Sequence, residues 1–244
     1  MIEPILIDPR SADERGPWRL TLEVAAALPI GGWTLIGAQM VFLHAAAAGR
    51  EPGRTSGDLD VLVDVRVVTS LIRDVASRLL DHGFGPDVTI DGRGHRFRRH
   101  DDVVDVLAPD GTGRRSSLET VPGARTIAVP GGSQALGRTV RRPVEIRDVG
   151  AAELPFPNLL GAILLKVRAV DAADDPDKHR RDLALLLALV ADPVALSGDL
   201  TTAERRWLRR RAELLDPGHP TYRGFPDRED AAAALALMIG ETAW

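Results

Sequence analysis

The chain has 244 residues, 27% of them charged and 44% hydrophobic, which suits one large domain or two modest ones of roughly 100–200 residues each. A formal charge of −4 excludes a protein that coats nucleic acid or membrane by bulk charge. The absence of cysteine excludes disulfide scaffolds, thiolate nucleophiles, cysteine zinc sites and iron–sulfur clusters, and fits a reducing cytoplasm.

The opening segment, MIEPILIDPRSADER, carries acids and no basic leader, so it does not read as a signal peptide. Residues 17–28 have helical spacing, with Leu20, Val24 and Leu28 on one face. Trp33 to Ile36 reads as a short buried strand ending at Gly37, and Gln39 to Ala48 as a helix. The apolar stretch from Leu28 to Ala48 is broken by Pro29, Gly31, Gly32, Gly37, Gln39 and His44, whereas a membrane span needs about 20 residues without such breaks. The expectation is a soluble protein that makes no use of membrane.

After the polar loop GREPGRTSG, Asp58 to Val65 alternates acids with Leu59, Val61, Val63 and Val65, the period of a strand. Thr69 to His82 reads as an amphipathic helix with Thr69 or Ser70 as cap and Gly83 past its end. Short strands are predicted near Val88–Ile90, His95–Arg99 and Val103–Ala108, and a hairpin or meander over 125–147 turning at Pro130. Helices are predicted over 158–172, 177–191, 201–215 and 228–240. The fold class is therefore α+β, a mixed sheet with flanking helices over residues 1–150, followed by a helical domain over 151–244.

Chemistry concentrates in the first of these regions. Residues i and i+2 of a strand face the same way, so Asp58 and Asp60 present two carboxylates side by side. A divalent cation is the usual reason to juxtapose like charges, and hard oxygen ligands favour Mg²⁺. Asp105, an acid inside the apolar run Val103-Val104-Asp105-Val106-Leu107, is the candidate third carboxylate, because an isolated buried charge is costly. Gly37, at a strand-to-helix turn, lets backbone approach a phosphate at a helix N-terminus.

The run from Gly37-Ala38 to Arg54-x-Ser56-x-Asp58-Leu59-Asp60, a later strand bearing an acid, and a helical tail with a lysine and an acid resemble the AbiEii/MenT-type nucleotidyltransferases. These are often toxins of toxin–antitoxin pairs within the polymerase-β-like superfamily, and the likeness covers about residues 30–190. The resemblance implies a nucleotidyltransferase domain over 1–150. It makes Asp58, Asp60 and Asp105 the ligands of two Mg²⁺ ions, with Asp105 also taking the proton of the attacking hydroxyl. Lys166 then faces the triphosphate of an NTP, while Gly37, Ala38, Gln39, Arg54, Ser56 and Asp182 form the substrate-binding set. The family commonly has Gly-Gly or Gly-Ser before a hydroxyl residue; Ala38-Gln39 leaves the donor phosphates to backbone or to the Gln39 amide. The implied acceptor is RNA, tRNA in particular, and the implied protein partner is an antitoxin.

Each residue also has a plainer reading. An Asp-x-Asp pair can be a solvated strand edge, Ser56 can cap its loop, and Arg54 can pair with a nearby acid. Lys166 can snorkel from an apolar helix, and Asp182 can pair with Arg181 on a helix surface. The arginine clusters at 96/98/99, 114/115, 141/142 and 205/206/209/210/211 can track a polyphosphate backbone or form faces balanced by acids. A small-molecule or protein acceptor, and a non-catalytic member that binds nucleotide or a partner, remain the alternative functions.

Overall fold

A computed structural model describes residues 3–52, 56–66, 68–113 and 117–241. The chain opens with β1 (Ile5–Ile7) and α1 (Ala12–Ala27). Ser11 caps α1 by accepting from Glu14 N–H, so the helix starts a turn and a half before the Pro17 start expected from periodicity. Next come β2 (Trp33–Leu35), α2 (Gly37–Ala47), β3 (Asp58–Val63), α3 (Leu71–Asp81), β4 (Gly85–Asp87), β5 (Arg96–Arg99) and β6 (Asp102–Pro109). Then follow β7 (Glu119–Val121), β8 (Ala124–Arg125), β9 (Ala128–Val129), α4 (Gly132–Gly137), β10 (Thr139–Ile146) and β11 (Gly150–Pro157). The tail is α5 (Leu159–Ala172), α6 (Pro176–Ala188), α7 (Pro193–Gly198), α8 (Thr202–Arg209), short 3₁₀ turns at Ala212–Leu215 and Pro220–Tyr222, and α9 (Arg228–Ile239).

The central sheet runs β2-β3-β6-β5-β4, with β9 added along β6. It is mixed: β3 and β6 are parallel, and the other pairs on the main path are antiparallel. A second sheet, β1-β10-β11, joins the N-terminal strand in parallel to β10. One face of α3 buries Leu71, Ile72, Val75, Ala76 and Leu79, the amphipathic face that its periodicity predicts. The apolar core is continuous from β1 to α9.

Two expectations are corrected. The strand expected at Val88–Ile90 lies earlier, at Gly85–Asp87, where Asp87 pairs with Arg98 across the β4–β5 hairpin. Val88 and Ile90 are exposed instead. The region 125–147 is not a hairpin: Asp110 accepts from Gly131 N–H and Ser133 N–H and so nucleates α4, leaving β10 to pair with β11. Helical character begins at Leu159, in agreement with the helix expected over 158–172, directly after β11. Among the described residues, no helix is long and apolar enough to cross a membrane.

Candidate active site

The acid cluster is built by strand register. Asp60 on β3 lies directly beside Asp105 on β6, and Asp58 is two residues earlier on β3. All three carboxylates therefore face the same side of the sheet. Asp105 is buried, whereas Asp58 and Asp60 are partly exposed. Burial, Asp105 and Asp58 push the Asp60 carboxyl up to about 6, against the attraction of Lys166 and Arg96.

Gly37 is the first residue of α2 and has φ of +72°, a conformation that glycine adopts without strain. A Cβ at this position would lie 1.8 Å from Oδ2 of Asp60. The start of α2 thus rests directly against the central carboxylate, and Ile36 N–H donates to the Asp60 carbonyl at 3.0 Å. Ala38 is buried in the same turn. Gln39, also buried, donates from Nε2 to the carbonyl of Ser56 at 3.2 Å and so ties α2 to the loop entering β3. Ser56 Oγ accepts a long bond from Asp58 N–H at 3.4 Å. Arg54 lies outside the described residues.

Arg96 was one of a cluster in the sequence and is a member of this site in the fold. It stands opposite Asp105 in the β5–β6 hairpin. Its Nε donates to Asp105 Oδ1 at 2.8 Å, its Nη2 to Oδ2 at 2.7 Å, and Nη2 also reaches Asp58 Oδ2 at 3.3 Å. The signal was legible: a two-residue turn at His100-Asp101 pairs Arg99 with Asp102 and, three steps back, Arg96 with Asp105.

Lys166 and Asp182, assigned separate roles by resemblance, are one ion pair. Asn158 caps α5 by accepting from Gly161 N–H, and Asp175 caps α6 ahead of Pro176. The two helices fold back on each other and bring Lys166 Nζ to 2.7 Å from Asp182 Oδ2, both side chains buried. This corrects the surface pairing of Asp182 with Arg181. Because Lys166 also attracts Asp60 electrostatically, the helical tail contributes a positive charge to the acid cluster. Asp182 further forms part of the wall of a cavity of about 460 Å³, between α6 and residues 221–227, that Arg50, Arg181 and Arg223 also line.

Several arginines of the remaining clusters make contacts within the fold. Arg99 pairs with Glu23 and Asp102 and lies over the Phe84 ring. Arg141 pairs with Glu153. Arg205 and Arg209 donate to the last carbonyls of α9, and buried Arg211 pairs with Asp171. Arg114 and Arg115 lie outside the described residues. Asp64 pairs with Arg66 on the strand's far end, as an ordinary strand-end acid does.

The oxygen-only donor set of Asp58, Asp60 and Asp105 suits a hard divalent cation. Among the described residues, however, no group of three or more His, Asp or Glu is arranged to hold one together, and Arg96 is bonded to two of the three acids. No protein-family model matches the chain, and no curated protein matches it. A solved structure similar to it is that of an antigenic nucleotidyltransferase-like protein from Paracoccidioides brasiliensis, at 13% identity and a TM-score of 0.42, the match covering 96% of each chain.

Proposed function

We propose that this chain is a nucleotidyltransferase that moves a nucleoside monophosphate from an NTP to a hydroxyl acceptor and releases pyrophosphate. The observation that carries the reading is the placement of Asp58, Asp60 and Asp105 on one sheet face, with the glycine-only turn of Gly37 seated against Asp60. Mg²⁺ bound by these carboxylates would supply charge neutralisation at the transferring phosphate and a more acidic attacking hydroxyl. Asp105 takes the proton of that hydroxyl once Arg96 has released it. The start of α2 offers backbone N–H groups to the donor phosphates, and Ala38-Gln39 in place of a hydroxyl residue leaves that task to the backbone. Lys166, held by Asp182, contributes a fixed positive charge to the triphosphate side.

RNA, and tRNA in particular, is the acceptor that the likeness of Arg54–Asp60 to AbiEii/MenT-type enzymes supports. The same likeness supports a toxin role with an antitoxin partner, and the cysteine-free composition supports a cytoplasmic site of action. Incubation with Mg²⁺, labelled NTPs and total RNA should transfer label, and Asp60→Ala should abolish it. Equal transfer by the variant, or none by the wild type, would sink the reading. Transfer without RNA would move the acceptor to a small molecule or protein.

A non-catalytic member that binds nucleotide or a partner is the second reading, favoured by the Arg96 clasp on Asp105 and by Ala38-Gln39. Calorimetry showing NTP binding that is absent or independent of Mg²⁺, together with no label transfer, would select it.

A further inference from the structure

Arg96 holds three of the six carboxylate oxygens of the acid cluster: both oxygens of Asp105 and one of Asp58. These are the lone pairs that a divalent cation would need. A bidentate guanidinium–carboxylate pair is the strongest ordinary clasp available to a side chain. Here the Asp105 side chain is only 10% exposed while that of Arg96 is 32% exposed. The acid is therefore fixed in the sheet, and the guanidinium has a path to solvent.

From this geometry we infer that Arg96 is the resident counter-cation of the acid cluster and competes with the divalent cation for Asp105 and Asp58. The inference rests on the nucleotidyltransferase reading and assigns that site a positioning residue. In the metal-free protein, Arg96 offsets the repulsion among three carboxylates that share a face, and Lys166 also attracts Asp60. Metal loading then requires Arg96 to leave Asp105. The arrangement sets metal affinity lower than the bare carboxylates would give, because displacing Arg96 from both acids breaks three charge-assisted hydrogen bonds. It also leaves a free guanidinium beside the site when metal is bound.

The test is Mn²⁺ binding by calorimetry and by loss of the free-ion electron paramagnetic resonance signal, on wild type, Arg96→Gln and Arg96→Lys. Arg96→Gln should bind Mn²⁺ about tenfold more tightly, and Arg96→Lys, which keeps the charge but not the fork, should fall between. Wild type binding Mn²⁺ and Arg96→Gln binding it no more tightly would overturn this inference alone. Absence of Mn²⁺ binding by every protein would overturn both the inference and the metal-dependent reading beneath it. A readout made on the wild type itself is the Arg96 Nε–H resonance, assigned by its loss in Arg96→Lys. Titration with Mg²⁺ should shift it and speed its exchange with water; an unmoved resonance while Mg²⁺ binds would count against the competition.

Discussion

Gly37 and Asp60 touch across the junction of two elements: a side chain at residue 37 would place its first carbon 1.8 Å from the Asp60 carboxylate oxygen. The contact sets the distance between the start of α2 and the acid cluster, and it tolerates no Cβ. Gly37→Ala should therefore cost both the strain of positive φ and displacement of Asp60, about 2 kcal/mol or more, and abolish transfer. Gly49, with φ of +66° and open space around it, supplies the control. Gly49→Ala should cost about 1 kcal/mol by urea unfolding and leave transfer intact. Equal losses at the two positions would show that the Asp60 contact contributes nothing.

Lys166 and Asp182 lie 16 residues apart in sequence and form a buried ion pair. Removing one partner leaves the other charged in an apolar setting, so Lys166→Met and Asp182→Leu should each destabilise by about 3–5 kcal/mol. The double variant should lose less than the sum of the singles. Denaturant midpoints of all four proteins check this, and additivity would show that the pair is not energetically coupled. Transfer should be lost in the double variant even where stability returns, since the proposed function gives Lys166 a role at the site as well as in the fold.

Asp60 is a strained acid. Its carboxyl is pushed up to about 6 from an ordinary 3.8, so the ionised form is disfavoured in the folded state. The sign follows: this group costs stability in full above pH 6, and the cost fades as pH falls from about 6 towards 4. Asp60→Asn should accordingly raise stability at pH 8 by about 1–2 kcal/mol, discounted for partial exposure, while eliminating transfer. Thermal melts at pH 8 and pH 4 should show the gain at the first and not at the second.

His44 acts in the opposite sense. Its ring donates from Nε2 to the Pro157 carbonyl at 2.9 Å and meets Phe156 edge-on, so α2 is tied to the end of β11. Burial pulls its pKa from 6.5 down to about 4. The unfolded chain takes up a proton below pH 6.5 and the folded chain does not, so stability is lost as pH falls from about 6.5 to about 4, in total about 3 kcal/mol. His44→Gln should flatten this part of the stability profile, with urea midpoints at pH 7 and pH 4.5 as the measure. A profile equally steep in the variant would place the acid lability elsewhere.

Local patterning made much of the fold and part of the site legible. The alternation of Asp58, Leu59 and Asp60 puts two acids on one face whatever their surroundings, because covalent geometry alone sets the period of a strand. The same holds for the apolar run around Asp105 and for the face of α3. The α4 segment was not legible, since its start depends on Asp110 reaching residues 131 and 133 from the end of β6. Nor was β1, which finds its parallel partner β10 more than a hundred residues away.

The sequence by itself determined which residues carry charge, which of them share a strand face, and where a glycine was required. Only the tertiary structure decided which charge answers which. Asp105 sits beside Asp60 through the parallel register of β3 and β6, and Lys166 meets Asp182 through the folding back of α5 and α6. The face that each residue takes along a strand or helix is fixed by covalent geometry over a few bonds. Pairing between distant residues depends on register and burial, which exist only once the core has closed.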